Sequence, residues 1–280
     1  MKLNSTFSEE VIKLKSNNII SNKEEIVKKL SILLTNAVKG EKVAIGFSGG
    51  IDSTLIAFIC EKKNIPFTLY SVGLKNSPDL EYAKKVAKFY NWKLIAKELT
   101  EEEVESIFKK LNILPRIDVV NIGVGAVTYA VCEQVKEKTI LTGLGSEEIF
   151  AGYERHKGEI NKNCWLGLEE IYERDIVRDS TIANHFKLKV HCPFLNKELI
   201  EYSMQIDEKL KMNEEYKKLI LRYTAEHLGL NKEFCWRKKK AAQYGSYFDK
   251  VLTKLAKRNK QTKREYVSKG LRVSAPNPPE

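Results

Sequence analysis

Short apolar runs alternate with longer amphipathic segments over the first half of the chain. Four of these runs are predicted strands, at Val43–Phe47, Phe67–Val72, Lys93–Glu98 and Thr139–Leu141. Apolar residues at helical spacing predict helices at Asn22–Val38, Ser53–Lys63, Asp79–Tyr90, Glu101–Leu111 and Ile122–Val135. Alternating strands and helices are typical of a sheet covered on both faces, so we expect an α/β, doubly wound, mostly parallel fold.

After Gly158 the pattern becomes helical. Periodic apolar residues predict helices at Leu168–Arg178, Lys197–Met204 and Glu215–Leu228, then a basic helix from Lys250 that ends near Gly270. We therefore expect a helical lead-in (1–40), an α/β core (41–157), a helical part (158–248) and a basic helix with a flexible tail (249–280). No repeat or long linker interrupts the chain, which favours one folded unit.

A turn rich in glycine and serine joins the first predicted strand to the next helix. It reads Ser48-Gly49-Gly50-Ile51-Asp52-Ser53. Glycines let backbone N–H groups approach an anion, hydroxyl groups add donors, and the helix N-terminus adds partial positive charge. A Walker loop has a lysine after its glycines, and this turn has none. Asp52 would repel a phosphate unless a cation lay between them. The turn thus indicates a phosphate site with magnesium; the alternative is a turn that only caps the helix.

A second turn follows the strand at Thr139–Leu141. It reads Gly143-Leu144-Gly145-Ser146-Glu147-Glu148 and continues to Tyr153. Ligands of parallel α/β sheets lie beyond the carboxyl ends of the strands, where both turns are expected. Asp52 and Glu147 would then be placed to share a magnesium ion. The alternative for Glu147 is a carboxylate that only complements a helix dipole.

Length and composition agree with one compact enzyme. The chain has 280 residues, of which 42% are apolar, and can bury a substantial core. No apolar run reaches the roughly 18 residues of a membrane span, and the lysine-rich start has no cleavable apolar stretch, so we expect no membrane contact and a cytoplasmic protein. Five cysteines without a Cys-x-x-Cys pair indicate neither a zinc site nor a disulfide framework. Cys164 and Cys235 are candidates for a sulfur-carrying role, and His156 belongs either to the site or to the surface.

Positive charge is concentrated near the end of the chain. Residues 236–272 contain 13 Lys and Arg and 2 Asp and Glu, a balance of +11 that equals the net charge of the whole chain. Such a run is usually a solvated face, but it also suits a contact with nucleic acid. Tyr247 and Tyr266 offer the only stacking near it, and no known RNA-binding motif is present. A tRNA contact through Lys250–Arg272 is therefore one hypothesis for a partner.

The ordered motifs resemble the synthetase domain of asparagine synthetases, and the resemblance covers about residues 22–247. Ser48–Ser53 resembles the loop of ATP pyrophosphatases, which split ATP between the α and β phosphates. The other matching pieces follow in the family's order: Ser71–Leu74 with Asp79–Ala83, Leu114–Asp118 with Asn121–Gly123, Gly143–Tyr153, Arg178-Asp179, Cys192–Leu195 and Trp236–Lys239.

The resemblance implies a role for each matching residue. ATP phosphates would be held by Ser48, Gly49, Gly50, Asp52 and Ser53, with Gly143 beside them. The backbone of Val72 and Gly73 would hold adenine. Lys239 would stabilise the charge that develops on pyrophosphate, with Asp52 as the other catalytic residue. Asp118, Gly145 and Ser146 would bind the carboxylate substrate, and Asp52 and Glu147 would ligate Mg2+. Without the resemblance, Lys239 is simply part of a solvated basic run.

Two departures from the family pattern bear on the reaction. Glutamine-dependent members begin with an amidotransferase domain and its cysteine, but Lys2 stands here and only about forty residues precede the loop, fewer than a domain needs. Nitrogen is thus expected as ammonia, from a separate amidotransferase, or as another amine. The family's second turn also has a glutamate where this chain has Leu144, which can neither accept a proton nor bind ammonium.

Three hypotheses follow. The first is an AMP-forming ligase that adenylates aspartate or a similar carboxylate and transfers ammonia or an amine. The second is an ATP pyrophosphatase that adenylates a tRNA base for thiolation or amination. The third is a nucleotide-binding protein that has lost its chemistry, which Leu144 favours and the intact Ser48–Ser53 loop opposes. For each we expect a monomer or a homodimer.

Overall fold

The computed structural model describes residues 3–238 and 241–270 and contains one sheet of five parallel strands. The strand order is β3-β2-β1-β4-β5. The bounds are β1 Val43–Gly46, β2 Phe67–Leu74, β3 Leu94–Leu99, β4 Thr139–Leu141 and β5 Lys189–His191. The predicted doubly wound parallel fold is confirmed. The fifth strand lies in the part predicted to be only helical, because three half-exposed residues carry little periodic signal.

Fifteen α-helices surround the sheet in the described residues. Those in the first half are α1 Phe7–Ile12, α2 Lys23–Ala37, α3 Ile51–Lys62, α4 Pro78–Tyr90, α5 Glu101–Lys110, α6 Val119–Cys132 and α7 Ser146–Ile149. Those in the second half are α8 Ile160–Ile171, α9 Val177–His185, α10 Lys197–Met204, α11 Leu219–Leu228, α12 Lys232–Cys235, α13 Ala242–Gly245, α14 Phe248–Arg258 and α15 Lys263–Glu265. None of these helices is both long enough and apolar enough to cross a membrane.

The two faces of the sheet bury separate cores. On one face Ile45 and Leu69 pack with the apolar sides of α2, α3 and α11. On the other face Ala44 and Tyr70 pack with α5, α6 and α14. Neighbouring residues of one strand therefore enter different cores, as the two-residue period of a strand requires. This double burial explains why the strands read as continuous apolar runs in the sequence.

Helix ends differ from the predictions where polar caps and irregular turns intervene. Helix α6 begins at Val119, three residues before the predicted start, because the Asp118 side chain caps it. The range predicted as one helix, Leu168–Arg178, covers the end of α8, a π-helical turn at Tyr172–Ile176 and the start of α9. Helix α11 starts only at Leu219, after Lys218 adopts a left-handed backbone with φ 55°. These features depend on contacts that periodicity does not report.

The predicted continuous basic helix from Lys250 to Gly270 is wrong. Helix α14 ends at Arg258, and a turn with Lys260 at φ 54° separates it from α15 and a following π-helical turn, Tyr266–Gly270. The Thr262 hydroxyl and the Glu265 carboxylate form a capping box that starts the second helix. The proline-rich tail and Arg272 lie outside the described residues.

Candidate functional site

The loop after β1 is held in a narrow turn at the carboxyl edge of the sheet. Gly49 has φ +66°, and a side-chain carbon there would lie 2.9 Å from the Tyr82 ring, so glycine is required. Gly50 precedes α3 and has no side chain to cap it, which leaves the first N–H groups of α3 open to an anion. The Ser53 hydroxyl donates to the Gly50 carbonyl at 3.3 Å and braces the turn.

Lys218 joins the two predicted turns. Its ammonium group donates to both oxygens of Asp52, at 2.8 and 2.7 Å, and to the Ser146 hydroxyl at 2.8 Å. A third carboxylate oxygen, from Glu147, lies 2.8 Å away. The structure therefore brings Asp52 and Glu147 together, as the sequence predicted, and adds a lysine at the point where they meet.

The electrostatics of Lys218 follow from this enclosure. Only 6% of its side chain is exposed, and burial by itself would lower its pKa. The charges of Asp52 and Glu147 outweigh burial, and the pKa of Lys218 is raised above its usual value. Lys218 is thus a permanent cation at neutral pH. Sequence reasoning missed it because it follows another lysine and lies 166 residues from Asp52.

Three glycines allow the second turn to approach its neighbours closely. A side-chain carbon on Gly143 would lie 2.9 Å from the Asp52 β-carbon, and one on Gly152 would lie 1.5 Å from a Glu147 oxygen. Gly145 has φ +95°, and its α-carbon faces the Leu195 side chain. These positions explain the glycine spacing of the motif: the turn after β4 meets the loop after β1 without side chains between them.

Arg237 ties the following segment to the first loop. One guanidinium nitrogen donates to the Ser48 carbonyl at 2.6 Å, and the other lies 2.8 Å from an Asp79 oxygen. The guanidinium also lies over the Tyr82 ring, 4.0 Å from its centre. Sequence reasoning noted Arg237 only as part of a motif. Lys239, the predicted catalytic lysine two residues later, lies outside the described residues.

The backbone of Val72 points to the β1 side of β2, beyond the last residue of β1. The Phe47 N–H donates to the Tyr70 carbonyl, and the Leu74 N–H donates to the Ser246 carbonyl. Because alternate residues of a strand point to the same side, the Val72 peptide groups lie between these two bonds. Gly73 points the other way and pairs in register with Glu98 of β3. A side chain on Gly73 would collide with Ser77.

The predicted substrate residues have separate surroundings. Ser146 is fully buried and bonded to Lys218. Asp118 accepts the N–H groups of Val120 and Asn121, both at 2.9 Å, so its carboxylate caps α6. Its other oxygen lies 2.8 Å from Arg116. Leu144 is partly buried and packs against the core below the turn.

The remaining candidates are buried away from solvent. His156 is fully buried, 3.8 Å from the Cys164 sulfur, so the surface alternative is wrong for it. Cys164 and Cys235 are also fully buried, and burial raises the pKa of both thiols. A buried thiol that stays protonated is a poor nucleophile, and the sulfur-carrying role finds no support in this geometry.

A buried chain of charges continues from the second turn. Burial raises the pKa of Glu148 to about 7, while the Arg174 guanidinium, at 2.6 Å, favours the ionised form. Arg174 contacts Asp175 at 2.6 Å, and Arg178 then lies 2.8 Å from both Asp175 and Asp179. Arg178 and Asp179, which resemble a family motif, thus form a structural ion pair within α9. Glu148 is connected to this pair through Arg174 and Asp175.

The donor set at the two turns fits a divalent cation. Asp52 and Glu147 supply carboxylate oxygens from two different loops, and both converge within 2.8 Å of one cationic atom. Hard oxygen ligands of this kind are those that magnesium prefers. Among the described residues no cluster of three or more His, Cys, Asp or Glu forms a metal centre, so remaining ligands would have to come from phosphates or water.

Taken together, the fold and the site define a parallel α/β protein with a turn rich in glycine and serine at the carboxyl edge of its sheet. The Asparagine synthase family model matches residues 29–165 and 156–272. The chain therefore belongs to the asparagine synthase family.

Similarity to individual proteins agrees with this membership. The chain is 33% identical to a Methanocaldococcus jannaschii protein provisionally named asparagine synthetase [glutamine-hydrolyzing] 1, over 84% of this chain and 52% of that protein. It is 30% identical to the asparagine synthetase [glutamine-hydrolyzing] of Gallus gallus, over 79% and 44%. The chain thus spans about half the length of these curated relatives. Among solved structures, an NMN synthetase from Francisella tularensis is 16% identical, with a TM-score of 0.44 over 92% of this chain and 98% of that one.

Proposed function

We propose that this chain is an ATP-dependent ligase that forms AMP and pyrophosphate while it activates a carboxylate. The observation that carries the proposal is the meeting of Asp52, Glu147 and Lys218 beside an open helix N-terminus. Phosphates need positive charge and N–H donors, and their magnesium needs carboxylates. Both requirements are met at one edge of the sheet, in a chain of the asparagine synthase family.

The proposed reaction has two steps. A carboxylate oxygen of the substrate attacks the α-phosphorus, and the bond from that phosphorus to the oxygen bridging to the β-phosphate breaks, so pyrophosphate leaves with the electron pair. A nitrogen nucleophile then attacks the acyl carbon, loses a proton, and AMP leaves with the electrons of the carbon–oxygen bond. Aspartate and ammonia are the proposed substrates because of the family.

Each residue of the candidate site has its own role in the proposed reaction. Ser48, Gly49, Gly50 and Ser53 would hold the β and γ phosphates on the turn before α3, and the peptide groups of Val72 would bind the adenine edge. Asp52 and Glu147 would hold Mg2+, and the ion would supply positive charge to the departing pyrophosphate. Lys218 supplies a fixed positive charge, which is worth most where water is excluded.

Leu144 bears on the second step. The incoming nitrogen must lose a proton, and an aliphatic side chain cannot take it. An uncharged ammonia molecule leaves only one proton to be removed, and a phosphate oxygen of the departing AMP can accept it. We therefore propose that the rate follows the concentration of NH3 rather than of ammonium.

The test is product analysis of ATP turnover. Purified protein is incubated with ATP, magnesium, aspartate and ammonia, and AMP plus pyrophosphate is resolved from ADP plus phosphate, with Asp52→Asn as the inactive control. AMP and asparagine formed in equal amounts would support the proposal. AMP formed only with total tRNA would replace it with base adenylation, and no ATP cleavage with either would replace it with a binding role.

A further inference from the structure

Helix α14 presents a fixed basic surface. Phe248, Val251, Leu252 and Leu255 are buried on its inner side, where it packs on α5 and α6. Residues 248–270 contain eight Lys and Arg and two acidic residues. The first half of the basic segment is therefore a helix, α14, that is docked on the core. The charges on this helix have defined positions.

Most cations of this surface form no ion pair with the residues that the structure describes. Lys254 pairs with Glu101, and Lys263 lies 2.7 Å from Asp249. Six others are exposed and form no ion pair with any residue that the structure describes; they are defined here as the basic face: Lys250, Lys257, Arg258, Lys260, Arg264 and Lys269. On α14 the positions of Lys250, Lys254 and Lys257 follow one another at ~6 and ~4.5 Å along the axis, a spacing that suits successive phosphates, although Lys254 in this row is paired with Glu101.

One exposed aromatic side chain precedes the basic face. Tyr266, which the sequence suggested for stacking, is only 7% exposed, and the Tyr247 ring is covered by the Lys250 ammonium at 3.3 Å from its centre. Tyr244 of α13 is 49% exposed instead. An exposed ring beside a row of cations is the arrangement that binds single-stranded nucleic acid.

The same short helix closes the edge of the candidate site. A side-chain carbon on Gly245 would lie 2.2 Å from an Asp79 oxygen, and the Ser246 carbonyl accepts the Leu74 N–H at the end of β2. Tyr244 thus lies in the segment that contacts the end of β2 and the first turn of α4. The segment that carries the basic face therefore begins beside the carboxyl end of β2.

We propose that Tyr244 and the basic face bind a single-stranded segment of RNA. The apolar side chains of α14 are committed to the core, so no apolar face remains for insertion into a lipid surface. Tyr244 offers a ring for one base, and the six cations offer contacts for the backbone. RNA binding is independent of the proposed ligase activity, because none of these residues contacts Asp52, Glu147 or Lys218.

The experiment measures anisotropy of a fluorescein-labelled oligouridylate mixed with the full chain, in KCl from about 50 to 200 mM. The triple variant Lys257→Glu, Lys260→Glu, Arg264→Glu should bind at least tenfold more weakly, and the slope of log Kd against log salt should fall by about 2 units. Tyr244→Ala should weaken binding about tenfold, and Tyr244→Phe should not.

A matched control separates this surface from net charge. The variant Lys28→Glu, Lys29→Glu, Lys88→Glu changes the same charge at exposed positions elsewhere and should keep wild-type affinity. Equal losses in the two triple variants would overturn the proposal. So would an absence of wild-type binding at the lowest salt, or equal displacement by poly-glutamate at matched charge. Binding to phosphatidylserine vesicles without binding to RNA would assign the surface to lipid instead.

Discussion

Asp52, Glu147 and Lys218 meet with a combined charge of −1. The two carboxylates face the single ammonium group of Lys218, at 2.7 and 2.8 Å. A polyphosphate that approached this centre alone would be repelled, since unit charges at contact distance interact strongly in a low-dielectric site. The nucleotide is therefore expected to enter as its magnesium complex, and ATP cleavage should require the metal.

Substitution of Gly152 by alanine tests the close contact between Gly152 and Glu147. Replacement by alanine would place a carbon 1.5 Å from a Glu147 oxygen and 2.6 Å from Lys218. The two charged groups must move apart, so we expect AMP formation to fall by at least tenfold, about 1.4 kcal/mol or more in the barrier. Steady-state kinetics with saturating ATP measures the effect.

Gly46 provides the matched control for that substitution. A side-chain carbon there meets no other atom of the described residues within 4 Å, although Gly46 lies just before the first loop. Gly46→Ala should retain activity close to wild type. If both glycine variants lose activity equally, the contact between Gly152 and Glu147 is not the cause.

The sequence could predict Asp52 and Glu147 but not Lys218. The carboxylates lie within a few residues of turn glycines, so local chemistry identifies them. Lys218 reaches the site only because α11 packs against α2 and α3 and its own backbone turns left-handed. Nothing local distinguishes it from Lys217, which is paired with exposed Glu154.

At the scale of elements, two roles are open to Asp118, capping of helix α6 and binding of the substrate. The sequence did not distinguish them. It caps α6 through two backbone N–H groups, whereas the family resemblance implied contact with substrate. Asp118→Ala should destabilise the protein by about 1 kcal/mol, and Asp118→Asn by much less, because asparagine caps equally well. Urea unfolding at neutral pH measures both.

Kinetics of the same pair decide whether Asp118 also binds substrate. If it acts only as a cap, Asp118→Asn keeps the KM for the carboxylate unchanged. A KM raised tenfold or more with unchanged unfolding free energy would assign the carboxylate to the substrate and contradict the purely structural role.

Strands and helices were predictable to different degrees. Strands β1 and β2 are buried on both faces, so their apolar runs stand out, and β4 has the predicted bounds. Strand β5 is too short and too exposed for that signal. The π-helical turn at Tyr172–Ile176 coincides with the ion pairs of Arg174 and Asp175, and the break after Arg258 is followed by a capping box at Thr262. Such side-chain contacts leave no trace in hydrophobic periodicity.

At the scale of the whole molecule, one buried lysine stands outside the site. Lys211 is fully buried, and its ammonium lies 3.8 Å from the Met204 sulfur, with no carboxylate at ion-pair distance among the described residues. Burial lowers its pKa to about 8, with Cys164 and Glu208 opposing the shift. Below that pH the folded protein holds a poorly solvated charge.

Lys211→Met should therefore stabilise the protein. At pH 7 we expect a gain of roughly 1–4 kcal/mol in the free energy of unfolding. The unfolded chain binds more protons than the folded one between the lowered pKa, about 8, and the ordinary value of 10.5, so wild-type stability rises with pH there. The advantage of the variant should shrink over the same range.

Urea unfolding at pH 7 and at higher pH measures this, with Lys209→Met as the control. Lys209 is exposed in the preceding turn, and its replacement should change little at either pH. A Lys211→Met variant that is less stable than wild type at pH 7 would show that the buried ammonium has a stabilising partner.

The most direct test of the central claim compares two adjacent lysines. The claim is that Lys218, between Asp52 and Glu147, stabilises pyrophosphate as it leaves. We predict that Lys218→Met reduces AMP formation from ATP at least 100-fold, roughly 2.7 kcal/mol, while Lys217→Met remains near wild type. Near wild-type AMP formation by a folded Lys218→Met variant would contradict the account.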